Sequence, residues 1–300
     1  MKYQKVCIIG GTGFVGHHLA NRLSNAGVAC RILARRPERH RDLCLAQGAE
    51  LRQANIFERA ALIEHLKGCS AVINLVGILN EGRQTSFRRL HIELVDLILD
   101  AAETAGVTRY LHMSALHANT EGSSEYLRTK GEGEAHAMDR NGEALGVTSF
   151  RPSVIFGSGD SFFNRFATLL KTAPGFIPLA CPNARFAPVH VDDVTKAMTI
   201  ALENPRTIGR RYDLCGPRIF TLRELVDYTA ERINKRTRVI GLNDAASRLQ
   251  AKVFQFLPGK PFTMDNLLSL QTDSICETDG LAELGIQATD IETVVPTYLR

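Results

Sequence analysis

The sequence has no long apolar run, and this absence bounds the class of protein. None of its 300 residues lies in an apolar stretch near the roughly 18 residues that a membrane-spanning helix needs. The opening segment, MKYQKVCIIGG, leads directly into a predicted strand and leaves no room for a signal or transit peptide. Zinc-finger spacing, an RNA-binding aromatic signature and a long basic tail are also missing. We therefore expect a cytoplasmic protein, at most peripheral at the inner membrane, that does not bind nucleic acid.

Paired cysteine motifs are absent as well. The seven cysteines include no CxxC pair, their number is odd, and they are scattered over Cys7, Cys30, Cys44, Cys69, Cys181, Cys215 and Cys276. Several lie in apolar runs, where cysteine behaves as a small hydrophobic residue. We therefore expect reduced thiols in a reducing compartment, with neither a disulfide nor a metal site.

The composition is that of an ordinary folded protein with a mildly basic charge. Hydrophobic residues make up 44% and charged residues 23%, which allows a large core. The net charge of +4 and the sequence pI of about 8.7 suit an anionic cofactor. The length fits one α/β unit with a smaller lobe attached.

The first half of the chain alternates short β-branched runs with longer amphipathic stretches. Strands are predicted at 5–9, 29–33, 50–53, 71–75, 110–113 and 148–151, and helices at 14–25, 58–66, 87–104 and 125–141. Such alternation is typical of βαβ units and a parallel sheet. After residue 151, glycine and proline interrupt the pattern, and helices return at 191–202 and 221–233.

These elements predict an α/β fold with a doubly wound parallel Rossmann sheet. Residues 1–155 are expected to form the NADP(H)-binding Rossmann core. Residues 156–300 are expected to supply the last sheet elements and a smaller C-terminal substrate or lid lobe.

The segment GGTGFVG follows the first predicted strand and begins the first helix. One glycine permits the tight turn, one lets the backbone approach a pyrophosphate, and one allows close helix–strand packing. The helix N-terminus adds free N–H groups and a partial positive charge. A plain glycine-rich turn is the alternative, but the strand and helix on either side favour a nucleotide site. The expected contacts are Gly10, Thr12, Gly13, Phe14, Val15 and Gly16.

The end of the second strand carries arginine where NAD-specific proteins carry an acid. Arg35 and Arg36 follow this strand, and no carboxylate is present to hold a ribose 2′-hydroxyl. A guanidinium binds a 2′-phosphate through charge-assisted hydrogen bonds. We therefore predict NADP(H) rather than NAD, with Arg35 as the main contact and Arg36 as a secondary one. Arg39 and Arg41 are interpreted as a solvated helix face.

Two further strand ends complete the predicted nucleotide site, because ligands of such sheets lie beyond the carboxyl ends of the strands. Asn55 and Ile56 follow the third strand and are expected to meet adenine. Leu75, Val76 and Gly77 follow the fourth strand and are expected to pass under the ribose.

A tyrosine and a lysine four residues apart form the candidate catalytic pair. On a helix, Tyr126 and Lys130 share one face. We expect the Lys130 ammonium to lower the pKa of Tyr126 from about 10, so that Tyr126 acts as a general acid/base. Lys130 is also expected to hold the nicotinamide ribose. Ser114, at the end of the fifth strand, is expected to bond a substrate carbonyl or hydroxyl. The alternative for Tyr126 and Lys130 is a weakly stabilising exposed pair.

Together these motifs resemble the extended or atypical short-chain dehydrogenase/reductases of the epimerase/dehydratase type. The residues that carry the resemblance are GGTGFVG at 10–16, Asn74 to Gly77, Ser114, Tyr126 with Lys130, Arg151-Pro152-Ser153, Phe156-Gly157 and the segment HVDDV at 190–194. The segments SALHAN at 114–119, SSEYLRTK at 123–130 and LGIQAT at 284–289 resemble, more narrowly, the nucleotide-binding accessory subunit of respiratory complex I and its bacterial relatives.

The resemblance implies bound NADPH, with Pro152, Ser153 and Val154 lining the nicotinamide. It leaves two functions open. One is an NADPH-dependent oxidoreductase that uses Ser114, Tyr126 and Lys130. The other is a non-catalytic nucleotide-binding subunit or assembly factor of the respiratory chain or of quinone biosynthesis, with proteins of those systems as partners.

A basic apolar stretch near the C-terminus has two interpretations. Leu249, Val253, Phe256 and Leu257 share one helical face beside Arg248 and Lys252, and Pro258-Gly259 is expected to end the segment. The favoured interpretation is a lid helix packed on the C-terminal lobe. The other is an amphipathic surface for a membrane or a partner protein.

Overall fold

The computed structural model describes residues 5–82, 85–257 and 260–299. In chain order its strands are β1 (Lys5–Ile9), β2 (Ala29–Ala34), β3 (Ala49–Gln53), β4 (Ala71–Asn74), β5 (Arg109–Met113), β6 (Gly146–Pro152), β7 (Ile155–Phe156), β8 (Phe176–Leu179), β9 (Arg185–Phe186), β10 (Val189–His190), β11 (Arg210–Leu214), β12 (Phe220–Thr221) and β13 (Arg238–Gly241). The helices are α1 (Phe14–Asn25), α2 (Arg59–Leu66), α3 (Leu94–Thr104), α4 (Glu125–Asp139), α5 (Phe163–Thr172), α6 (Val191–Glu203), α7 (Leu222–Arg232), α8 (Asp244–Phe254), α9 (Met264–Ser269), α10 (Gly280–Glu283) and α11 (Ile291–Tyr298).

Seven strands form one central sheet in the order β11-β6-β5-β4-β1-β2-β3, and every neighbouring pair is parallel. The chain moves outward from β1 through β2 to β3, and then returns to the other side of β1 as β4. This reversal creates a crevice at the carboxyl ends of β1 and β4, where such sheets bind ligands.

Helices cover both faces of the sheet, which confirms the doubly wound α/β fold. On one face α1 and α6 pack on the sheet, with Leu19, Leu23 and Met198 buried in the shared core. On the other face α2, α3 and α4 bury Leu62 and Ile98 among residues of the same strands. Because both faces are covered, β1 and β4 are apolar at nearly every position, and their polar residues are Lys5, which is partly buried, and Asn74, which is buried.

The C-terminal half adds a smaller lobe built from short strand pairs and helices. Strand β8 pairs with β13 and β9 with β12, while α5 and α7 pack together over them. Strand β11 belongs to the central sheet, so the second half also supplies its last strand. The division at residue 155 remains a prediction.

The predicted strands and helices coincide with observed ones, with small shifts at their ends. The largest difference lies in the predicted helix at 87–104, where a π-helical segment, Arg89–Glu93, precedes α3. Within the described residues, no helix is long and apolar enough to cross a membrane.

The expectation that all cysteines are reduced is wrong. Cys215 and Cys276 form a disulfide across a sequence separation of 61 residues. Cys215 follows β11, and Cys276 lies in the segment before α10, so the bond joins this late segment to the edge of the sheet. Cys7, Cys30, Cys44, Cys69 and Cys181 are free. Spacing along the chain gave no sign of this pair, since only folding brings the two residues together.

Candidate functional site

The predicted nucleotide contacts before Lys130, together with Ser114 and the segment 152–154, lie at the carboxyl ends of strands, and because the strands are parallel these ends share one side of the sheet. The turn at 10–16 follows β1, Arg35 and Arg36 follow β2, and Asn55 and Ile56 follow β3. The segment 75–77 follows β4, Ser114 follows β5, and 152–154 ends β6. The fold therefore brings residues that are far apart in sequence to the same side of the sheet.

The glycine-rich turn is shaped by steric demands that only glycine meets. Gly10 has a φ of +83°, and a Cβ there would lie 3.0 Å from the backbone of Leu75 and Val76. A Cβ on Gly16 would lie 2.4 Å from the Gly11 backbone, so this glycine lets α1 start directly against the turn. Gly13 donates its N–H to the Gly10 carbonyl at 3.0 Å and closes the turn.

The start of α1 suits an anionic group. Its N-cap is Gly13, which has no capping side chain, and the first turn of the helix carries no acidic residue. Thr12, Phe14 and Val15 are half-buried around this helix start, and Val15 packs against the core. The first N–H groups therefore meet no competing side-chain cap, and the turn fits a dinucleotide pyrophosphate.

Arg35 and Arg36 stand exposed at the carboxyl end of β2. In the part of the chain that the structure describes, neither forms an ion pair with a carboxylate. Both guanidinium groups are thus available to an anion at this corner of the crevice. Asn55 is exposed at the neighbouring strand end, where its Oδ1 accepts the N–H of Phe57 at 3.2 Å. Ile56 packs against the core beside it.

The end of β4 is fixed by a buried polar chain. The Asn74 side chain accepts the N–H of Val76 at 3.1 Å and donates to the hydroxyl of Tyr110 at 3.1 Å. Leu75 and Val76 pack against opposite cores, which leaves the backbone of Gly77 exposed toward the site. Asn74 therefore sets the direction of the segment predicted to pass under the ribose.

The end of β6 is covered by the disulfide-linked segment. Pro152 and Ser153 are buried, and Val154 is half-buried. The Ser153 hydroxyl hydrogen-bonds Ser274, with 2.8 Å to its carbonyl oxygen and 2.9 Å to its hydroxyl. Ser274 lies two residues from Cys276. The Ser153 hydroxyl is therefore engaged in an internal hydrogen bond with the disulfide-linked segment.

Tyr126 and Lys130 share α4, but their environments differ from the prediction. The Lys130 ammonium donates to the carbonyl of Met113 at 2.5 Å, and burial lowers the pKa of Lys130 to about 8 although Glu134 opposes the shift. Burial and the nearby Asp265 carboxylate raise the pKa of Tyr126 to about 12. The predicted lowering of this pKa is therefore wrong, because the polypeptide around the phenol disfavours phenolate.

Asp265 reaches Tyr126 from the C-terminal lobe. Its carboxylate accepts the backbone N–H groups of Glu125 at 2.7 Å and of Tyr126 at 3.2 Å, at the start of α4. A carboxylate at a helix N-terminus is stabilised by the free N–H groups and by the helix dipole. The lobe thus holds α4 by its first turn.

Ser114 faces a buried carboxylate that sequence reasoning missed. Glu134, one helical turn beyond Lys130, accepts the Ser114 hydroxyl at 3.2 Å and the Arg151 Nε at 2.9 Å. Arg211 lies 3.6 Å from the same carboxylate. Among the described residues, no hydrogen bond joins Ser114 to Tyr126 or Lys130. The only sequence signal was the i, i+4, i+8 spacing of Tyr126, Lys130 and Glu134.

His91 is a second residue that the sequence did not reveal. Its Nε2 accepts the N–H of Ile78 at 3.2 Å, and its Nδ1 lies 3.0 Å from the Thr129 hydroxyl. Its ring packs edge-on against Tyr126 with 5.7 Å between centroids. Burial, with a smaller effect of Lys130, lowers the pKa of His91 to about 3. A neutral imidazole therefore links the Gly77 segment to the Tyr126–Lys130 helix.

Comparison with known proteins agrees with this geometry. The protein named NADH dehydrogenase (ubiquinone) 1 alpha subcomplex subunit 9, mitochondrial, from Mus musculus is 29% identical over 98% of this chain and 79% of its own length. A ceramide reductase from Caulobacter vibrioides is 29% identical over 67% of this chain and 61% of its own length. The structure of the Escherichia coli quinone oxidoreductase QOR2 complexed with NADPH has a TM-score of 0.77 at 19% identity, and covers 98% of this chain and 99% of that one.

The sequence predicted a resemblance to the complex I accessory subunit. The similarity to the mitochondrial subunit from Mus musculus confirms it. The family model described as "NAD dependent epimerase/dehydratase family" matches residues 6–215, which include the glycine-rich turn, Tyr126 and Lys130. These residues span the whole central sheet except its first residue. The chain therefore belongs to the NAD dependent epimerase/dehydratase family, whose members bind NAD or NADP.

Proposed function

We propose that the protein binds NADP(H) in preference to NAD(H), with Arg35 as the main contact to the 2′-phosphate and Arg36 as a secondary contact. The observation that carries this proposal is the pair of exposed guanidinium groups at the end of β2, where no acid is present. A carboxylate there would repel a 2′-phosphate, whereas a guanidinium binds it through charge-assisted hydrogen bonds. Asn55 and Ile56 flank the adenine, and Leu75, Val76 and Gly77 pass under the ribose.

The nucleotide serves an oxidoreductase reaction in this proposal. Bound NADPH would supply a hydride to the carbon of a carbonyl substrate, and the Tyr126 hydroxyl would give its proton to the carbonyl oxygen. The Tyr126 phenol is protonated at neutral pH, as a proton donor must be, but its raised pKa makes it a weak acid, so the Lys130 ammonium has to stabilise the phenolate that donation leaves. Lys130 holds the nicotinamide ribose, and Pro152 to Val154 line the nicotinamide. Ser114 orients the substrate only after its hydroxyl turns away from Glu134.

Stopped-flow oxidation of bound NADPH across a panel of carbonyls and quinones tests this reaction. The expected result is turnover with at least one compound and a large loss in Tyr126→Phe. Tyr228→Phe is a matched control, because the Tyr228 hydroxyl has no hydrogen-bond partner among the described residues. No oxidation by any compound, or equal rates in Tyr126→Phe and wild type, would contradict the reaction.

A second candidate is a non-catalytic nucleotide-binding subunit or assembly factor of the respiratory chain or of quinone biosynthesis. It is supported by the similarity to a complex I subunit over nearly the whole chain, and by Ser114 being held by Glu134. In this role the protein lies in the cytoplasm, peripheral at the inner membrane, with bound NADPH stabilising its fold. Recovery of respiratory or quinone-pathway subunits from solubilised membranes supports this role, and failure to recover any of them contradicts it.

A further inference from the structure

Large apolar side chains on α8 and in the turn that follows it point toward solvent. Leu249 is 64% exposed, Val253 52%, Phe256 84% and Leu257 44%. These four lie within nine consecutive residues, yet they are four of only ten large apolar side chains that are exposed in the described part of the chain. The expectation that this face packs on the lobe as a lid is therefore wrong. The predicted end at Pro258-Gly259 lies outside the described residues.

The inner face of the same helix explains why the large residues point outward. Ser247 and Ala251 are the buried residues of α8, and Ala251 packs with Ala180 and Leu267. Small side chains thus bring the helix close to the lobe, while Leu249 and Phe256 remain mostly exposed. Apolar side chains in contact with water have an unfavourable free energy of hydration. Since the fold leaves these side chains exposed, only an external partner can remove that contact with water.

Two basic residues border this apolar face. Arg248 and Lys252 are exposed one turn apart, and at 100° per residue they lie on one flank of Leu249. No ion pair engages either residue within the described ranges. We define Leu249, Val253, Phe256, Leu257, Arg248 and Lys252 as the outer α8 surface. Its combination of exposed apolar residues with flanking cations is that of helices that lie in the plane of an anionic membrane interface.

We propose that the outer α8 surface docks on an anionic phospholipid bilayer. Phe256 and Leu249 enter the boundary between headgroups and acyl chains, and Arg248 and Lys252 bind lipid phosphates. A second copy of the chain fits less well, because a two-fold contact would bring the same basic flanks toward each other.

Docking would also orient the candidate site. Helix α9 packs against α8 through Leu267 and holds the start of α4 through Asp265. Beside α9, the Lys260 ammonium donates to the carbonyl of Glu81 at 2.8 Å, in the segment that follows Gly77. The outer α8 surface is therefore joined to the Tyr126 side of the site by short packed connections.

Vesicle flotation of the full chain tests the proposal, with phosphatidylcholine vesicles that either contain or lack phosphatidylglycerol. Wild type is expected to float with the phosphatidylglycerol vesicles, and less so at high salt. The double variant Leu249→Asn/Phe256→Asn is expected to lose about tenfold or more in partitioning. Arg248→Gln/Lys252→Gln should bind weakly and lose most of the salt dependence. Ile219→Asn, at a position 56% exposed outside α8, is the matched control and should behave as wild type.

Three outcomes would overturn the proposal. The first is that wild type floats with neither vesicle type, and the second is that the Leu249→Asn/Phe256→Asn variant binds as well as wild type. The third is that sedimentation without lipid reveals a dimer that this variant abolishes, which would assign the surface to a second copy. NADPH titration of the same samples separates these results from a failure of the proposed function, since none of the substituted residues lies in the nucleotide site.

Discussion

At the scale of single residues, the chemistry of α4 depends on partners that are distant in sequence. The shared helical face of Tyr126 and Lys130 could be predicted from their spacing, because i, i+4 geometry is local. The direction of the Tyr126 pKa shift could not be predicted, since it depends on burial by the folded chain and on Asp265, which lies 139 residues away. The hydrogen bond from Ser114 to Glu134 could not be predicted either, because β5, α4 and β6 come together only in the folded protein.

The affinity for NADPH is expected to weaken as pH rises through about 8, the pKa of Lys130. Below that pH the lysine is an ammonium that donates to the ribose hydroxyls, and above it this charge is lost. Fluorescence titration of NADPH on either side of pH 8 measures the effect. Lys130→Arg keeps the charge at all these pH values and should flatten the profile. An affinity in wild type that does not change with pH would contradict the role of Lys130.

Removing the buried Glu134 carboxylate should destabilise the protein. Glu134→Gln leaves Arg151 without its charged partner, and we expect a loss of about 1–3 kcal/mol in the free energy of unfolding. Glu132→Gln, on the same helix and without an ion pair in the described structure, is the matched control. Chemical denaturation compares the two. Equal stability of both variants would show that the Glu134 network carries little energy.

At the scale of elements, the strand–turn–helix unit at the N-terminus could be predicted almost residue by residue. Gly16 is required by a contact with Gly11 within this unit, whereas Gly10 is also required by the backbone of Leu75 and Val76 after β4. The π-helical segment at Arg89–Glu93 could not be predicted, because the apolar pattern of 87–104 fits one continuous helix. The outward direction of α8 also escaped prediction, since helical periodicity identifies an apolar face without saying what covers it.

Gly16→Ala should disrupt both stability and nucleotide binding. The added Cβ would lie 2.4 Å from backbone atoms of Gly11, so α1 must move away from the turn that holds the pyrophosphate. Overpacking of this kind costs about 1–3 kcal/mol. Gly142→Ala is the control, because nothing lies within 4 Å of its Cβ position. Thermal unfolding and NADPH titration should separate the variants, and wild-type behaviour of Gly16→Ala would refute the steric account.

At the scale of the whole molecule, alternating strands and helices predicted the parallel sheet and its covered faces. The same sequence reasoning excluded the disulfide, because Cys215 and Cys276 share no motif and meet only through the folding of the C-terminal half. In the small lobe, α7 and the helix that carries Leu249 and Val253 were predicted, but the short strands were not. Its strands are as short as two residues and its contacts are long-range, so local patterns carry little information about them.

The Cys215–Cys276 bond should stabilise the protein in oxidising buffer. Closing a loop of 61 residues restricts the unfolded chain and contributes about 4 kcal/mol in the chain-entropy model. Cys215→Ser/Cys276→Ser should therefore lower the melting temperature in oxidising buffer and leave it insensitive to reductant. Cys44→Ser, at an exposed free cysteine, is the control. A wild-type melting temperature that reductant does not change would argue against a stabilising bond.

Titration of NADPH and NADH against wild type and Arg35→Ala tests the central claim most directly, with Arg39→Ala as the control for an exposed arginine nearby. Wild type should prefer NADPH. Arg35→Ala should lose roughly tenfold or more in NADPH affinity while its NADH affinity stays unchanged, because only the 2′-phosphate contact is removed. A preference of wild type for NADH, or an Arg35→Ala protein that still prefers NADPH as wild type does, would contradict the account.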